Sequence, residues 1–211
     1  MDSRLYVITG QAFMQGRSLE EVITAAIRGG ADAIQLREKE FTGRELLAAG
    51  HLLRRVTREH GVRLIINDRI DVAKAVDADG VHLGQSDLPI EVARAILGPG
   101  KIVGLSTHNV EEAVAAECAG ADYIGLGPMK PTQTKLDTEP VVGPSGVQAV
   151  RAQVRLPIVA IGGIKEADVG EIIRNGANAV AVVSAVIGSD DPEAAAKTLR
   201  ALVDAERGKW S

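Results

Sequence analysis

The feature that most constrains the fold is the regular recurrence of short apolar runs, each of which ends in glycines or polar side chains. Runs of four or five residues rich in Val, Ile and Leu are typical of parallel strands that are buried on both faces. Eight such strands are predicted, over residues 5–9, 33–36, 64–66, 80–83, 102–105, 123–126, 158–161 and 179–183.

The segments between these runs predict helices. Ser18 with Glu21 forms a capping pattern, and a long helix is expected from Thr42 to His60, closed by Gly61. Eight β/α units are the number that closes a barrel, so we predict a single-domain (β/α)8 TIM barrel over residues 1–211. An open doubly wound sheet is the alternative, but it requires fewer strands and a glycine-rich dinucleotide loop that the first run lacks.

Composition excludes several classes of function. Aromatic residues make up 2% of the chain, so the core must consist of Val, Ile, Leu and Ala. A net charge of −4 with scattered basic residues does not favour a nucleic-acid surface. Neither a membrane span nor a signal peptide is evident, which predicts a cytoplasmic protein. The single cysteine, Cys118, is expected to be a buried small hydrophobic residue.

Two carboxylates follow neighbouring predicted strands. Asp68, after Asn67, follows the third strand, and Asp87 follows the fourth, so both should lie at the rim where barrel active sites form. Two carboxylates without a Cys or His cluster suit Mg2+. Each aspartate could instead be a helix N-cap. Their pairing across adjacent strands favours the metal.

Three polar residues alternate at the end of the second strand: Gln35, Arg37 and Lys39. Alternate residues of a strand point the same way. Two cations directed into a barrel mouth are costly unless an anion meets them, which predicts a phosphate or diphosphate. A solvated strand end with structural salt bridges is the alternative.

A second anion site is predicted from later loops. Thr132, Thr134 and Lys135 lie in the long loop after the sixth strand and could surround a phosphate, although an exposed polar loop is the alternative. Gly163 follows the seventh strand and Val183-Ser184 the eighth, where barrels often bind phosphate. A tight turn at Gly162-Gly163 is compatible with that role, because it would expose backbone N–H groups.

Ser106 follows the fifth strand and could contact substrate, whereas His82, within the fourth, is expected to be a packed core residue. A Ser-His-Asp hydrolase is disfavoured because no Gly-x-Ser-x-Gly elbow is present. Two anion sites at one mouth, one of them with a metal, indicate a substrate pair. Departure of a diphosphate from carbon and attack by a second molecule is the chemistry that such a site favours.

Taken in order, these motifs resemble those of the thiamine-phosphate synthase family over essentially the whole chain. The motifs are Gln35-Leu36-Arg37-Glu38-Lys39, Asn67-Asp68, Asp79-Gly80-Val81-His82-Leu83-Gly84-Gln85-Ser86-Asp87, Ser106-Thr107-His108-Asn109, Gly127-Pro128, Pro131-Thr132-Gln133-Thr134-Lys135, Ile161-Gly162-Gly163-Ile164 and Val183-Ser184-Ala185.

The resemblance implies an enzyme that joins 4-amino-2-methyl-5-hydroxymethylpyrimidine diphosphate to 4-methyl-5-(2-hydroxyethyl)thiazole phosphate, after dissociative loss of diphosphate. It implies that Asp68 and Asp87 hold Mg2+. The implied pyrimidine diphosphate contacts are Gln35, Arg37, Lys39, Asn67, Ser106 and Lys135, of which Arg37, Lys39, Ser106 and Lys135 are expected to be catalytic. The implied thiazole phosphate contacts are Thr132, Thr134, Gly163, Val183 and Ser184.

The chain departs from the family pattern in the loop after the sixth strand. Lys130 stands where the family usually has an aromatic residue, and Gln133 where Pro or Asn is common. Two other functions stay open: a related thiazole tautomerase, which needs no metal or diphosphate site, and a non-catalytic sensor of phosphate ligands. Small-molecule substrates are the expected partners, and a homo-oligomer is compatible with the sequence.

Overall fold

The computed structural model describes residues 3–131 and 140–209, which form a closed barrel of eight parallel strands. Each strand pairs with its neighbours in chain order, and the last pairs with the first through Leu5 and Val180. The TIM-barrel prediction is therefore confirmed. The strands are β1 (Leu5–Ile8), β2 (Ala33–Leu36), β3 (Arg63–Asn67), β4 (Gly80–Leu83), β5 (Ile102–Thr107), β6 (Tyr123–Leu126), β7 (Ile158–Ile161) and β8 (Ala179–Val182).

Helices connect the strands on the outside of the barrel. They are α1 (Leu19–Arg28), α2 (Gly43–His60), α3 (Ile70–Ala75), α4 (Ile90–Leu97), α5 (Val110–Cys118), α6 (Gly143–Arg151), α7 (Glu166–Arg174), α8 (Ser184–Ile187) and α9 (Pro192–Arg207). The predicted limits of α2 are confirmed: Thr42 caps its N-terminus with Glu45, and Gly61 ends it in the left-handed region at φ 67°.

Two short elements were not predicted. A 3-10 turn (Gln11–Phe13) follows β1, and the four-residue α8 follows β8 directly. Neither is long enough to show a helical period in the sequence. The residues of α8, Ser184–Ile187, are also mostly apolar and continue the apolar run of β8, so that the sequence does not mark where the strand ends.

The strands bury two faces. Ile34, Leu36 and their counterparts pack outward against the helices, whereas Tyr6, Ile65 and Tyr123 belong to a separate cluster inside the barrel. A Cβ at Gly104 would lie 2.2 Å from Cζ of Tyr123, so the barrel interior can hold this ring only because its neighbour on β5 is glycine. Both tyrosines of the chain therefore lie inside the barrel.

The expectation for Cys118 is wrong, because the structure exposes it at the end of α5. Small apolar residues of α5 are distributed around its whole circumference. Of the residues in this helix, Ala113 and Ala116 are buried. The sequence pattern therefore does not distinguish the inner from the outer face. Within residues 3–131 and 140–209, no helix combines the length and apolarity needed to cross a membrane.

Candidate active site

A cavity of about 630 Å³ opens at the carboxyl ends of the strands. All the predicted site residues that the structure describes line it: Gln35, Arg37, Lys39, Asn67, Asp68, Asp87, Ser106, Gly163, Val183 and Ser184. Thr132, Thr134, Gln133 and Lys135 lie outside the described residues. The convergence follows from the topology, since every strand is parallel and presents its carboxyl end on the same face.

The two aspartates are neighbours, as predicted. Burial, a hydrogen bond to the Asp87 carboxyl and the charge of that carboxyl together raise the pKa of Asp68 to about 6. Asp68 also has a left-handed backbone, at φ 59°. Neither residue caps a helix, because Arg69 and Pro89 precede the first turns of α3 and α4. The N-cap alternative is therefore excluded for both.

The two carboxyl groups lie close together, and Asp68 is half-buried. The charges of Lys39 and Arg37 lower the pKa of Asp68, but by less than burial and Asp87 raise it. Asp87 is fixed in place by the backbone N–H of Gly84, which donates to its carboxylate at 2.6 Å. A divalent cation would relieve the repulsion between the carboxylates.

Arg37 and Lys39 face the cavity, where their charges act on Asp68 from beyond ion-pair distance. Within the described parts of the chain, neither side chain forms an ion pair within 4.0 Å. Glu38 points to the other side, where its carboxylate accepts hydrogen bonds from the backbone of Gln11. The structure therefore favours two cations available to an anion over structural salt bridges.

On the opposite wall, the turn after β7 packs against the beginning of the loop that follows β6. The backbone N–H of Lys130 donates to the Gly162 carbonyl at 3.0 Å. Gly163 has φ 67°, and a Cβ there would lie 2.9 Å from both Cβ of Lys130 and the Pro131 carbonyl oxygen. This contact makes glycine necessary at residue 163 and holds the turn open to the cavity.

The departure at Lys130 has a structural role in this chain. Its ammonium group forms an ion pair with Asp168 in the first turn of α7. The pair joins the start of the loop after β6 to the helix that follows Gly163. Ser184 begins α8 and also lines the cavity. Loops after the seventh and eighth strands followed by a short helix are a common phosphate-binding arrangement in such barrels.

The sequence prediction missed a buried polar network under the cavity. Tyr6 and Tyr123 line the cavity floor and join Gln35 to His82 through hydrogen bonds. His82 is 8% exposed and bonded on both ring nitrogens, which confirms it as a core residue and adds contact with Ser106. Strand alternation could have placed both tyrosines, since Tyr6 lies two residues before Ile8 and Tyr123 two before Gly125 on the inner face.

Asp68 and Asp87 are the acidic side chains of the described cavity lining that could serve as ligands of a cation. No group of three or more His, Cys, Asp or Glu side chains suited to a metal occurs in the described ranges. Mg2+ commonly takes one or two carboxylates and completes its octahedron with water and substrate phosphate. Asp68 and Asp87 fit that pattern, whereas a Zn2+ site would require more protein ligands.

Comparisons with known proteins agree with this geometry. The model of the family described as thiamine monophosphate synthase matches residues 5–186. The chain is 50% identical over 209 residues to a thiamine-phosphate synthase of Chloroflexus aurantiacus, covering 99% of this chain and 96% of that protein. It is 48% identical to one from Moorella thermoacetica, covering 97% and 98%.

Solved structures give the same result. Thiamine phosphate pyrophosphorylase from Pyrococcus furiosus superposes with a TM-score of 0.89 at 41% identity, covering 97% of each chain. A 3-hexulose-6-phosphate synthase, at 21% identity and a TM-score of 0.63, shares the fold. The family match covers most of the barrel, and the relatives span nearly its full length. The chain therefore belongs to the thiamine monophosphate synthase family of enzymes.

Proposed function

We propose that the enzyme condenses 4-amino-2-methyl-5-hydroxymethylpyrimidine diphosphate with 4-methyl-5-(2-hydroxyethyl)thiazole phosphate, giving thiamine phosphate and diphosphate. The observation that carries this proposal is that one cavity brings together two groups of residues suited to anions. Asp68, Asp87, Arg37 and Lys39 form one wall, and the turn at Gly163 forms part of the other. Two phosphorylated substrates can therefore meet over the barrel mouth.

In this proposal, Asp68 and Asp87 would hold Mg2+. Their carboxyls are in contact, and the raised pKa of Asp68 shows that the protein alone stabilises its charge poorly. When bound, the ion would neutralise charge on the diphosphate and make it a better leaving group. Asn67 lines the cavity directly before Asp68 and offers an amide to the same substrate.

The protein's own cations would bind and orient the diphosphate. Arg37 and Lys39 supply two positive charges toward the developing negative charge of the leaving group. Lys135 is proposed to add a third. Loss of diphosphate leaves an electron-deficient pyrimidinylmethyl carbon, and the thiazole nitrogen then forms the new bond to it. Ser106 and Gln35 would hold the pyrimidine ring below this reacting carbon.

The second substrate would bind by its phosphate at the opposite wall. Gly163, Val183 and Ser184 are proposed to contact that phosphate, together with Thr132 and Thr134. Backbone N–H groups at a glycine turn and at the start of a helix suit an anion. Binding there would direct the thiazole ring toward the pyrimidine and exclude water from the intermediate.

The test is direct assay of the purified chain with both substrates and Mg2+. We expect equal molar amounts of thiamine phosphate and diphosphate, and loss of turnover when EDTA removes the metal. A thiazole tautomerase would rearrange the thiazole without releasing diphosphate. A sensor would bind both ligands without turnover. Either of these results would refute the proposed reaction.

A further inference from the structure

Five polar side chains form a continuous hydrogen-bonded chain across the floor of the cavity. Nε2 of Gln35 donates to the Tyr6 hydroxyl at 2.9 Å, and this hydroxyl lies 2.9 Å from that of Tyr123. The Tyr123 hydroxyl lies 2.9 Å from Nδ1 of His82, whose Nε2 lies 3.0 Å from Oγ of Ser106. The two ends of the chain, Gln35 and Ser106, both face the cavity.

The central members of this hydrogen-bonded chain are buried, and Tyr6, Tyr123 and a neutral His82 can each donate one hydrogen bond. Tyr6 and Tyr123 are 1% and 0% exposed. Burial raises the pKa of both hydroxyls, so both stay protonated at any physiological pH. A phenol donates one hydrogen bond, and a neutral imidazole donates from one nitrogen and accepts at the other. The direction of one bond therefore determines the direction of the next.

The direction follows from the Gln35 end. Because Tyr6 accepts from the Gln35 amide, its own proton goes to Tyr123. Tyr123 would then donate to Nδ1 of His82, an arrangement that would place the imidazole proton on Nε2 and make Ser106 the acceptor. Within the described residues, the Ser106 hydroxyl makes no other hydrogen bond, so its proton is available to a ligand.

We propose that Tyr6, Tyr123 and His82 are positioning residues that fix opposite hydrogen-bonding roles at the two ends of the chain. Gln35 turns its carbonyl oxygen to the cavity as an acceptor, and Ser106 turns its hydroxyl proton to the cavity as a donor. This inference rests on the proposed function, because it assigns the chain a role in selecting the pyrimidine substrate.

The consequence is selection between two ring types of nearly equal shape. An aminopyrimidine offers an N–H donor and unprotonated ring nitrogens, which match an acceptor at Gln35 and a donor at Ser106. The corresponding oxopyrimidine offers a carbonyl where the amino group was and carries a ring N–H. In the place of the amino group, that carbonyl would face the carbonyl oxygen of Gln35, so two acceptors would meet and one of them would be left unpaired in a buried site.

The first test measures the protonation of His82 in the native protein. In protein labelled with 15N-histidine, the ring nitrogen shifts and their couplings to ring protons identify which nitrogen carries the proton, and a His82→Gln spectrum assigns the signals. We expect His82 to be a neutral imidazole protonated on Nε2. A proton on Nδ1, in a neutral or a doubly protonated ring, would overturn the proposed direction.

The second test measures ligand selection. Tyr123→Phe removes the central hydroxyl and keeps the ring that fills the barrel. Dissociation constants are measured by calorimetry for the 4-amino pyrimidine diphosphate and its 4-oxo analogue, with Mg2+ and without the thiazole phosphate. We expect the native preference for the amino ligand to fall by about tenfold or more, since one buried partner is lost. An unchanged ratio in the folded variant would overturn the proposal.

Thr57→Val is the matched control, because Thr57 is fully buried and its hydroxyl is bonded to the Arg54 carbonyl, far from the cavity lining. Its amino-to-oxo ratio should match that of the native protein. The turnover of the native enzyme tests the proposed function separately from ring selection. If the native enzyme binds the amino ligand but forms no thiamine phosphate, the proposed reaction is wrong. Loss of selectivity in Tyr123→Phe would still show that the chain selects the ring.

Discussion

Replacing Asp68 with asparagine should stabilise the metal-free protein. The pKa of Asp68 is raised from 3.8 to about 6, so the folded state holds its proton more tightly than the unfolded state does. A shift of about two pKa units corresponds to about 3 kcal/mol. Because the side chain is half-buried and solvent screens part of the repulsion, we expect about 1–2 kcal/mol. Asn also tolerates the left-handed backbone at this residue.

The pH dependence of stability follows from the raised pKa of Asp68. The penalty is absent well below pH 3.8, where the carboxyl is protonated in both states, develops as the pH rises toward 6, and is complete above it. Urea unfolding in EDTA should therefore show Asp68→Asn and the native protein nearly equally stable at about pH 3. At pH 7.5 the variant should be more stable by the amount given above.

Two controls make the result specific. Asp190→Asn changes an exposed aspartate before α9 and should have no effect at either pH. Addition of Mg2+ with inorganic diphosphate should stabilise the native protein and leave Asp68→Asn nearly unchanged. If Asp68→Asn is as stable as the native protein, or less stable, at pH 7.5, then burial and Asp87 do not disfavour the ionised Asp68 carboxyl in the folded state.

Three further variants test other parts of the site. Asp87→Ala should lose about a hundredfold in turnover, since metal assistance contributes several kcal/mol, while thiazole phosphate binding measured by calorimetry persists; unchanged turnover would exclude the metal role. Gly104→Ala should lose about 3 kcal/mol or more of unfolding free energy in urea, because its Cβ would overlap Tyr123, whereas Gly43→Ala, with nothing closer than 3.7 Å, should not destabilise. Gly163→Ala should raise the KM for thiazole phosphate by about tenfold or more and that for the pyrimidine diphosphate much less; equal effects on both would place the phosphate elsewhere.

The sequence predicts the barrel well because the evidence for it is repeated along the chain. Each apolar run, capping residue and terminal glycine is a local signal, and parallel pairing brings the carboxyl ends of all strands to one face. The position of Asp68 beside Asp87 follows from this topology alone. The exposed side of α5 does not, because its face depends on small differences among alanine, valine and cysteine.

The buried network lies beyond such local signals. Tyr6 and Tyr123 lie on β1 and β6, which are not neighbours in the barrel. The sequence of neither strand indicates that the two hydroxyls are in contact. Their contact depends on the space left by Gly104, which belongs to a third strand. Similarly, the ion pair of Lys130 with Asp168 joins residues that are 38 positions apart in the sequence. Contacts of this kind become visible only in three dimensions.

The placement of both tyrosines gives the enzyme a built-in spectroscopic reporter. The chain has two tyrosines, and both form part of the cavity floor. Protein prepared with 13C-labelled tyrosine should therefore yield two ring signals, each belonging to the substrate pocket and neither to the outer surface. Titration with either substrate would then show, without any engineered label, which ligand reaches the floor of the barrel and in what order.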